Sequence, residues 1–441
     1  MTETRPRPAE PGPATQDTTV RPFRVEVPDQ ALDDVRRRIA ATRWPSRELV
    51  TDRSQGVQLA TLQALTRYWA SDYDLRRIKA RLNALPQFTT EIDGVNIHFI
   101  HVESPHEHAL PLIMTHGWPG SVIELLEVVG PLTDPTAHGG RAEDAFTLVL
   151  PSLPGYGFSG EPTEIGWDPG RTARAWAELM GRLGYSRYVA QGGDVGAVIT
   201  DAMGRQAPQG LVGIHTNLLV TALAGPQPTE SEKERAAAEA LATFRATGFG
   251  YFLEQATRPQ TIGYALLDSP VALAAWMLDH DTDSYQKISR AVLDGQPAGH
   301  LTPDRILDNI TLYWLTGTGA SAARAYWESA RAQALAAGQA PPPARCRSAS
   351  PPSPTRSSPP RAAGSSWPIP TSATSTRPPR VATSPPGKSP SCSPRRSERR
   401  SDHSGSRHGG GGAQLVRAVR LHFTRRAEWS KPRTITPPLA P

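Results

Sequence analysis

The residues most suited to chemistry are the hexamer Gln191-Gly192-Gly193-Asp194-Val195-Gly196. It follows the short apolar run Tyr188-Val189-Ala190 and precedes the helix-forming stretch Ala197–Met203. A strand, a tight turn and a helix in that order leave one side chain standing above a sheet. This is the frame of the G-x-S-x-G elbow, with aspartate in the nucleophile position. A carboxylate that attacks carbon forms an ester, which water must then cleave, so the arrangement suits alkyl carbons and strained ethers. An aspartate between glycines is otherwise a common turn residue. The preceding strand and a second loop upstream separate the two readings.

That second loop is His116-Gly117-Trp118-Pro119-Gly120, which also follows a strand and opens a helix. A backbone N–H from it, together with that of Val195, can face the elbow and form an oxyanion hole. Gly155-Tyr156-Gly157-Phe158-Ser159 follows a third strand. Two further segments carry phenols, Gly250-Tyr251-Phe252 and Ala325-Tyr326-Trp327. Opening a strained ether leaves an alkoxide, a poor leaving group that needs an acid beside it, and a tyrosine can supply one. Tyr264, Tyr285 and Tyr313 are equally available by residue type. Trp118 is needed for its backbone alone, and its ring can simply wall a pocket.

The elements that must position these groups alternate along the chain. A helix starts near Asp29, with Leu32, Val35 and Ile39 on one face, and stops before Arg43-Trp44-Pro45. Leu59–Leu82 reads as one amphipathic stretch. Strands follow at Val95–Val102 after the turn Asp93-Gly94, then at Leu110–Thr115, Phe146–Leu150, Tyr188–Gln191 and Val212–Asn217. Helices separate them at Val122–Val129 and Thr172–Leu183. This alternation predicts an α/β fold with a doubly wound sheet. From about Ala222 to Leu315 the pattern turns helical and reads as a lid over the strand ends, with a capping box at Thr229-Glu230-Ser231-Glu232. A last helix spans Ala320–Ala337. The expected parts are a disordered leader (1–20), a helical meander with the first strands (21–109), a sheet core (110–221), a helical cap (222–318), a core helix (319–340) and a tail (341–441).

Charge excludes one class of function. The 441-residue chain is formally +6, yet residues 341–441 hold 18 Lys+Arg against 3 Asp+Glu, so the remainder is acidic. Neither nucleic acid nor membrane is an expected partner of the folded part. Arg36-Arg37-Arg38 reads as a solvated helix face. His98, His101, His106 and His108 fit no metal-ligand spacing and read as a strand edge plus loop. Both cysteines, Cys346 and Cys392, lie in the tail, so no disulfide framework is expected before it. The first 20 residues have no apolar core of the kind a secretory leader needs, and a cytoplasmic location is the default expectation.

Taken together, Arg43-Trp44-Pro45, the His116–Gly120 loop, Gln191–Gly196, Gln255–Pro270 and Leu312–Gly319 resemble the epoxide hydrolases of the α/β-hydrolase superfamily. They are most similar to the branch with an N-terminal meander, which includes the microsomal and juvenile-hormone types. The resemblance covers residues 21–338. It implies Asp194 as nucleophile, Tyr326 as proton donor and Tyr251 as a hydrogen-bond donor to the epoxide oxygen. It also implies the backbone N–H groups of Trp118 and Val195 as the oxyanion hole. The implied partner is a small-molecule epoxide, with no metal or organic cofactor. Haloalkane dehalogenases also use an aspartate elbow, but they typically place Trp after the nucleophile, where this chain has Val195.

The family pattern also calls for an acid on one further strand and for a base in Gly-Gly-His-Phe. Neither stands in this chain, and His403 and His408 sit in Gly/Ser-rich sequence with no apolar strand before them. Residues 341–400 hold 16 Pro, 14 Ser and 10 Arg, the excess that GC-rich DNA yields when read out of frame. Arg380–Lys388 can be encoded as CGG GTG GCC ACT TCG CCG CCT GGG AAG. Read from each third base, this becomes Gly-Gly-His-Phe-Ala-Ala-Trp-Glu. Residues 353–358 permit Pro-Asp-Glu-Ile-Phe in the same frame. The sequence is thus compatible with a one-base deletion between about Gly338 and Arg345, and with a scaffold that lacks its general base and last two core strands. Two other classes remain open at this stage: a non-catalytic binding protein on the same scaffold, and a nucleic-acid binder acting through the basic tail.

Overall fold

A computed structural model describes residues 17–218 and 231–338, all within one compact unit. The expectations for residues 1–16 of the leader, for the start of the cap at 222–230 and for the tail, with Cys346, Cys392, His403 and His408, lie outside the described residues.

Among the described residues, seven strands form one sheet in the order β1-β2-β3-β5-β4-β6-β7. They are β1 (Arg21–Phe23), β2 (Gln87–Ile92), β3 (Val95–Val102), β4 (Leu110–Thr115), β5 (Phe146–Pro151), β6 (Tyr188–Gly192) and β7 (Leu211–Thr216). Pairing is antiparallel from β1 through to the β3–β5 contact and parallel across β5, β4, β6 and β7. The β2–β3 hairpin turns on Asp93-Gly94, with φ of 50° and 76°, the left-handed pair that a tight hairpin turn requires. The sequence pattern missed β1 and β2. In β2 the buried positions include Gln87, Thr89 and Thr90, so apolar alternation does not mark the strand.

The strand order creates the site. From β4 the chain moves outward to β5, then crosses back over β4 to reach β6. Right-handed crossovers in opposite directions send the connecting helices to opposite faces, which leaves a crevice at the carboxyl ends of β4 and β6. Thr115 pairs with Gly192, so the His116–Gly120 loop and the Asp194 turn leave the sheet side by side. Beyond β7 no further strand joins the sheet among the described residues.

Helices α1 (Asp29–Ala40), α2 (Leu59–Ser71) and α3 (Leu75–Asn83) precede β2. The expected single stretch Leu59–Leu82 is two helices. Asp74 caps α3 by accepting from the Arg76 N–H, and the buried Tyr73 donates its hydroxyl to Asp308 at 2.9 Å. The segment Val122–Val128 is a 3-10 helix that runs on into α4 (Val129–Thr133). Then come α5 (Pro169–Arg182) and α6 (Val195–Gln206). The stretch expected to be helical holds, among the described residues, α7 (Glu232–Thr247), α8 (Gly250–Thr257), α9 (Pro259–Asp268), α10 (Pro270–Leu278), α11 (Thr282–Leu293) and α12 (Pro303–Thr316), followed by α13 (Gly319–Ala336). A capping box is formed by Ser231 and Glu234; Thr229 of the expected box lies outside the described residues.

The N-terminal helices brace this cap. Arg53 reaches Asp279 at 2.5 Å, Tyr68 donates to Asp304 at 2.9 Å, and the Gln58 N–H donates to the Tyr285 hydroxyl at 2.9 Å. Arg38 donates to the Asp268 carbonyl at 2.6 Å and lies 5.5 Å from the Trp314 ring centre. The three-arginine run is therefore not wholly a solvated face: Arg36 and Arg37 pair with the neighbouring Asp33 and Asp34, while Arg38 ties α1 to the cap. Three of the four sequence-clustered histidines have separate partners. His98 is fully buried between Ser152 and Gln87, His101 meets the Tyr185 hydroxyl, and His106 meets Asp134. Among the described residues no group of His, Cys, Asp and Glu could hold a metal ion, and no helix is long and apolar enough to cross a membrane.

The core sits on β4 and β5, where Leu112, Ile113, Met114, Leu148, Val149 and Leu150 have no exposure. Trp176 of α5 is also fully buried and donates its indole N–H to Thr115 at 3.0 Å. Truncation of Leu112 to alanine leaves a cavity in the sheet centre. It should cost about 2–5 kcal/mol of stability, read as a lowered midpoint in chemical denaturation; a loss under ~1 kcal/mol would contradict this packing.

Candidate active site

Asp194 opens α6 with φ 51° and ψ −123°, a conformation that costs a non-glycine residue on the order of 1–3 kcal/mol. The turn closes because α6 begins hard against the end of β4. A Cβ on Gly196 would come 2.7 Å from the Thr115 carbonyl carbon, so only glycine allows that approach. The result is a carboxylate aimed back over the strand ends, where Oδ1 accepts the Trp118 N–H at 3.0 Å. The Val195 N–H is its second backbone donor. Gly117 completes the clamp, since a Cβ there would lie 2.6 Å from the same Oδ1.

Burial pushes the Asp194 carboxyl up, while the Trp118 and Val195 amides and the nearby His280 oppose that rise. The anion is thus solvated by two fixed N–H groups in place of a hydration shell. Such donors stay in position when charge moves to a tetrahedral oxyanion.

Helices α8 and α13 bring both predicted phenols to this point. The buried Trp118 ring stacks on Tyr251 of α8 at 4.9 Å and 18°, and meets Tyr326 of α13 edge-on at 6.0 Å. The two tyrosine rings are 6.2 Å apart. Burial first, and then the Asp194 charge, push both hydroxyls well above the ordinary phenol range, so both are neutral O–H donors near pH 7. The other tyrosines do other work. Tyr264 is 71% exposed; Tyr285 braces α2; Tyr313 donates to the Gly120 carbonyl at 2.7 Å and steadies the loop. The Gly155–Ser159 motif positions α13: the Tyr156 hydroxyl donates to the Ala322 carbonyl at 3.0 Å, and Ser321 donates to the Gly155 carbonyl at 2.6 Å. His116 is a pin. Its Nε2 accepts the Leu153 N–H at 3.2 Å, its Nδ1 lies 3.0 Å from the Gly117 carbonyl, and burial lowers it to about 4.

Two features escaped the sequence reading. His280, at the end of α10, has its ring 5.0 Å from that of Tyr251 and 6.0 Å from that of Trp118. Its Nδ1 lies 3.0 Å from Asp281, and that contact, first of several, holds the Asp281 carboxyl well below its usual range. The second is Glu124, whose Oε1 accepts the Gly117 N–H at 3.4 Å. The adjacent pair His280-Asp281 and the step from Gly120 to Glu124 within one helical turn are the only signals the sequence offers for them.

Comparison with known proteins gives the family. Residues 20–125 match the family described as epoxide hydrolase N terminus. The chain is 55% identical over 317 residues to a Stigmatella aurantiaca protein named "Putative epoxide hydrolase", with 70% of each chain covered. It is 34% identical to epoxide hydrolase 1 of Oryctolagus cuniculus over 71% of this chain and 73% of that one. Among solved structures, the epoxide hydrolase of Aspergillus niger superposes with a TM-score of 0.61 at 31% identity, over 72% of this chain and 80% of that one. The juvenile hormone epoxide hydrolase of the silkworm Bombyx mori gives 0.57 at 31% identity, over 71% and 76%. The chain belongs to the epoxide hydrolases, hydrolytic enzymes of the α/β-hydrolase fold.

Gly117 supplies the sharpest test of the clamp. A Gly117→Ala substitution must push the loop off Asp194, and a displacement of that order costs about 10²-fold in reaction rate. The expected result is loss of epoxide consumption by that factor with an unchanged circular dichroism spectrum; wild-type rates would contradict the clamp.

Proposed function

We propose that this chain opens an epoxide through an ester on Asp194 and that the hydrolytic half of the reaction is impaired in the polypeptide as written. The observation that carries the first half is the convergence of one backbone-held carboxylate with two buried phenols around the Trp118 ring. An Asp194 oxygen attacks an epoxide carbon and the ring C–O bond breaks. Tyr326 gives its proton to the departing oxygen and Tyr251 donates a hydrogen bond to it. Water then adds to the ester carbonyl while the Trp118 and Val195 N–H groups hold the oxyanion. The proton lost by water ends, in net, on the Tyr326 phenolate, and a vicinal diol departs.

Support for the second half of the reading is in the sequence. The Gly-Gly-His-Phe base and its acid are missing from residues 339–441 as read, and both can be written in the third-base frame of the same DNA. Positioned acid–base catalysis contributes typically about 10²–10⁴-fold, and its loss falls on the step that cleaves the ester. The expected kinetics are a burst of about one equivalent of epoxide, an epoxide-mass adduct on the peptide holding Asp194, and then slow turnover. Asp194→Asn should abolish both burst and adduct. Steady turnover of the written chain at the burst rate would refute the impairment, and stop codons in the third-base frame around codons 335–385 would refute its proposed origin.

A further inference from the structure

His280 has no part in the chemistry described above, yet its ring belongs to the cluster around the nucleophile. Trp118 and Tyr251 stack at 4.9 Å, and two further rings each meet both of them. Tyr326 lies 6.0 and 6.2 Å from the Trp118 and Tyr251 ring centres. His280 lies 6.0 and 5.0 Å from the same two centres. The imidazole is therefore as close to the stacked pair as the proposed proton donor is.

The turn that carries this ring is held on both sides. The preceding residue, Asp279, pairs with Arg53 at 2.5 Å. The following residue, Asp281, caps α11: its Oδ1 accepts the Ser284 N–H at 2.8 Å, and its Oδ2 lies 3.0 Å from His280 Nδ1. A carboxylate only accepts, so the neutral ring carries its hydrogen on Nδ1 and a lone pair on Nε2. The side chain is 26% exposed, yet Nε2 itself is buried and has no hydrogen-bond partner among the described residues. The donors around it are engaged. The Trp118 N–H goes to Asp194, the Trp276 indole N–H goes to Gln255 at 2.9 Å, and the Tyr251 hydroxyl faces that of Tyr326. A buried acceptor without a donor is destabilising, and a ligand that brings a donor removes that penalty.

We propose that His280 Nε2 accepts a hydrogen bond from a hydroxyl on the substituent of the epoxide, so that hydroxyl-bearing epoxides are the favoured substrate class. This rests on the ester mechanism proposed above. With the epoxide oxygen at Tyr251 and Tyr326 and one epoxide carbon at Asp194, the substituent can run along the Trp118 ring to His280. An alkyl group in the same place leaves Nε2 unpaired, and a site built around a hydrogen bond rejects the analogue that lacks it. An ether or ketone oxygen brings no donor and gains nothing from a lone pair.

The test is the rate of Asp194 adduct formation on the full chain, followed by mass spectrometry at about pH 8, where a free imidazole is neutral. Glycidol is compared with 1,2-epoxybutane, in which a methyl replaces the hydroxyl, and the next longer homologues form a second pair. Each rate is divided by that of the same epoxide with acetate in water, which removes differences in intrinsic reactivity. The chains are the wild type, His280→Phe, which keeps a ring without the acceptor, and His280→Gln, which keeps an acceptor. In the wild type the hydroxyl member of at least one pair should react about tenfold faster. The ratio should fall to about one in His280→Phe and return in part in His280→Gln. A wild-type ratio near one for both pairs overturns the proposal, as does a preference that survives in His280→Phe. If His280→Phe forms no adduct with any epoxide, His280→Gln decides: a preference there supports the proposal and its absence overturns it. A wild type that forms no adduct with any of the four epoxides overturns the ester mechanism itself, a result distinct from adducts formed without preference.

Discussion

The Trp118 N–H that holds the Asp194 carboxylate joins the two halves of the site, and most of the fold can be understood as the means of making that contact. Two loops must meet that lie 76 positions apart in sequence. They meet because β4 and β6 are neighbours with Thr115 opposite Gly192, at the point where the strand order reverses. Each loop must also be thin. A side chain on Gly117 or Gly196 would occupy space already taken by the Asp194 carboxylate or the end of β4. The strained backbone at Asp194 persists because these neighbours leave the turn no relaxed alternative.

Beside this clamp two phenols converge. Tyr251 and Tyr326 come from α8 and α13, helices separated by more than half the cap, and they converge on one indole ring. Their positions depend on residues far from the chemistry. The Gly155–Ser159 loop fastens α13 through Tyr156 and Ser321, and the N-terminal helices fasten α9 through α12 by ion pairs and hydrogen bonds. The meander is thus a brace that helps fix the distance between the two phenols and the Asp194 carboxylate. With the phenols on helices outside the sheet and the carboxylate at the strand ends, pocket shape can also change without disturbing the clamp.

Much of this was legible in the chain itself. The elbow, the loop at His116–Gly120 and the strands β4–β6 follow from short apolar runs, because a buried parallel strand must be apolar on both faces, while β3 shows as an alternating run after the Asp93-Gly94 turn. What escaped has physical reasons. β2 buries Gln87 and two threonines, so its inward face is polar and its alternation is hidden. The break between α2 and α3 depends on the Asp74 cap and on Tyr73 reaching Asp308, 235 positions away. Glu124 and His280 look like any charged residue on a helix or at its end. Their relation to Asp194 exists only after β4, β6 and the cap have been brought together.

The central claim is that Asp194, not water, makes the first bond to the epoxide carbon, and oxygen labelling tests it most directly. A single turnover is run in water enriched in oxygen-18 with enzyme in excess over epoxide. The account predicts that the label enters the Asp194 carboxylate and that the diol carries the enzyme's original, unlabelled oxygen. Label in the diol with an unlabelled Asp194 would mean that water attacks the epoxide directly, and would contradict it.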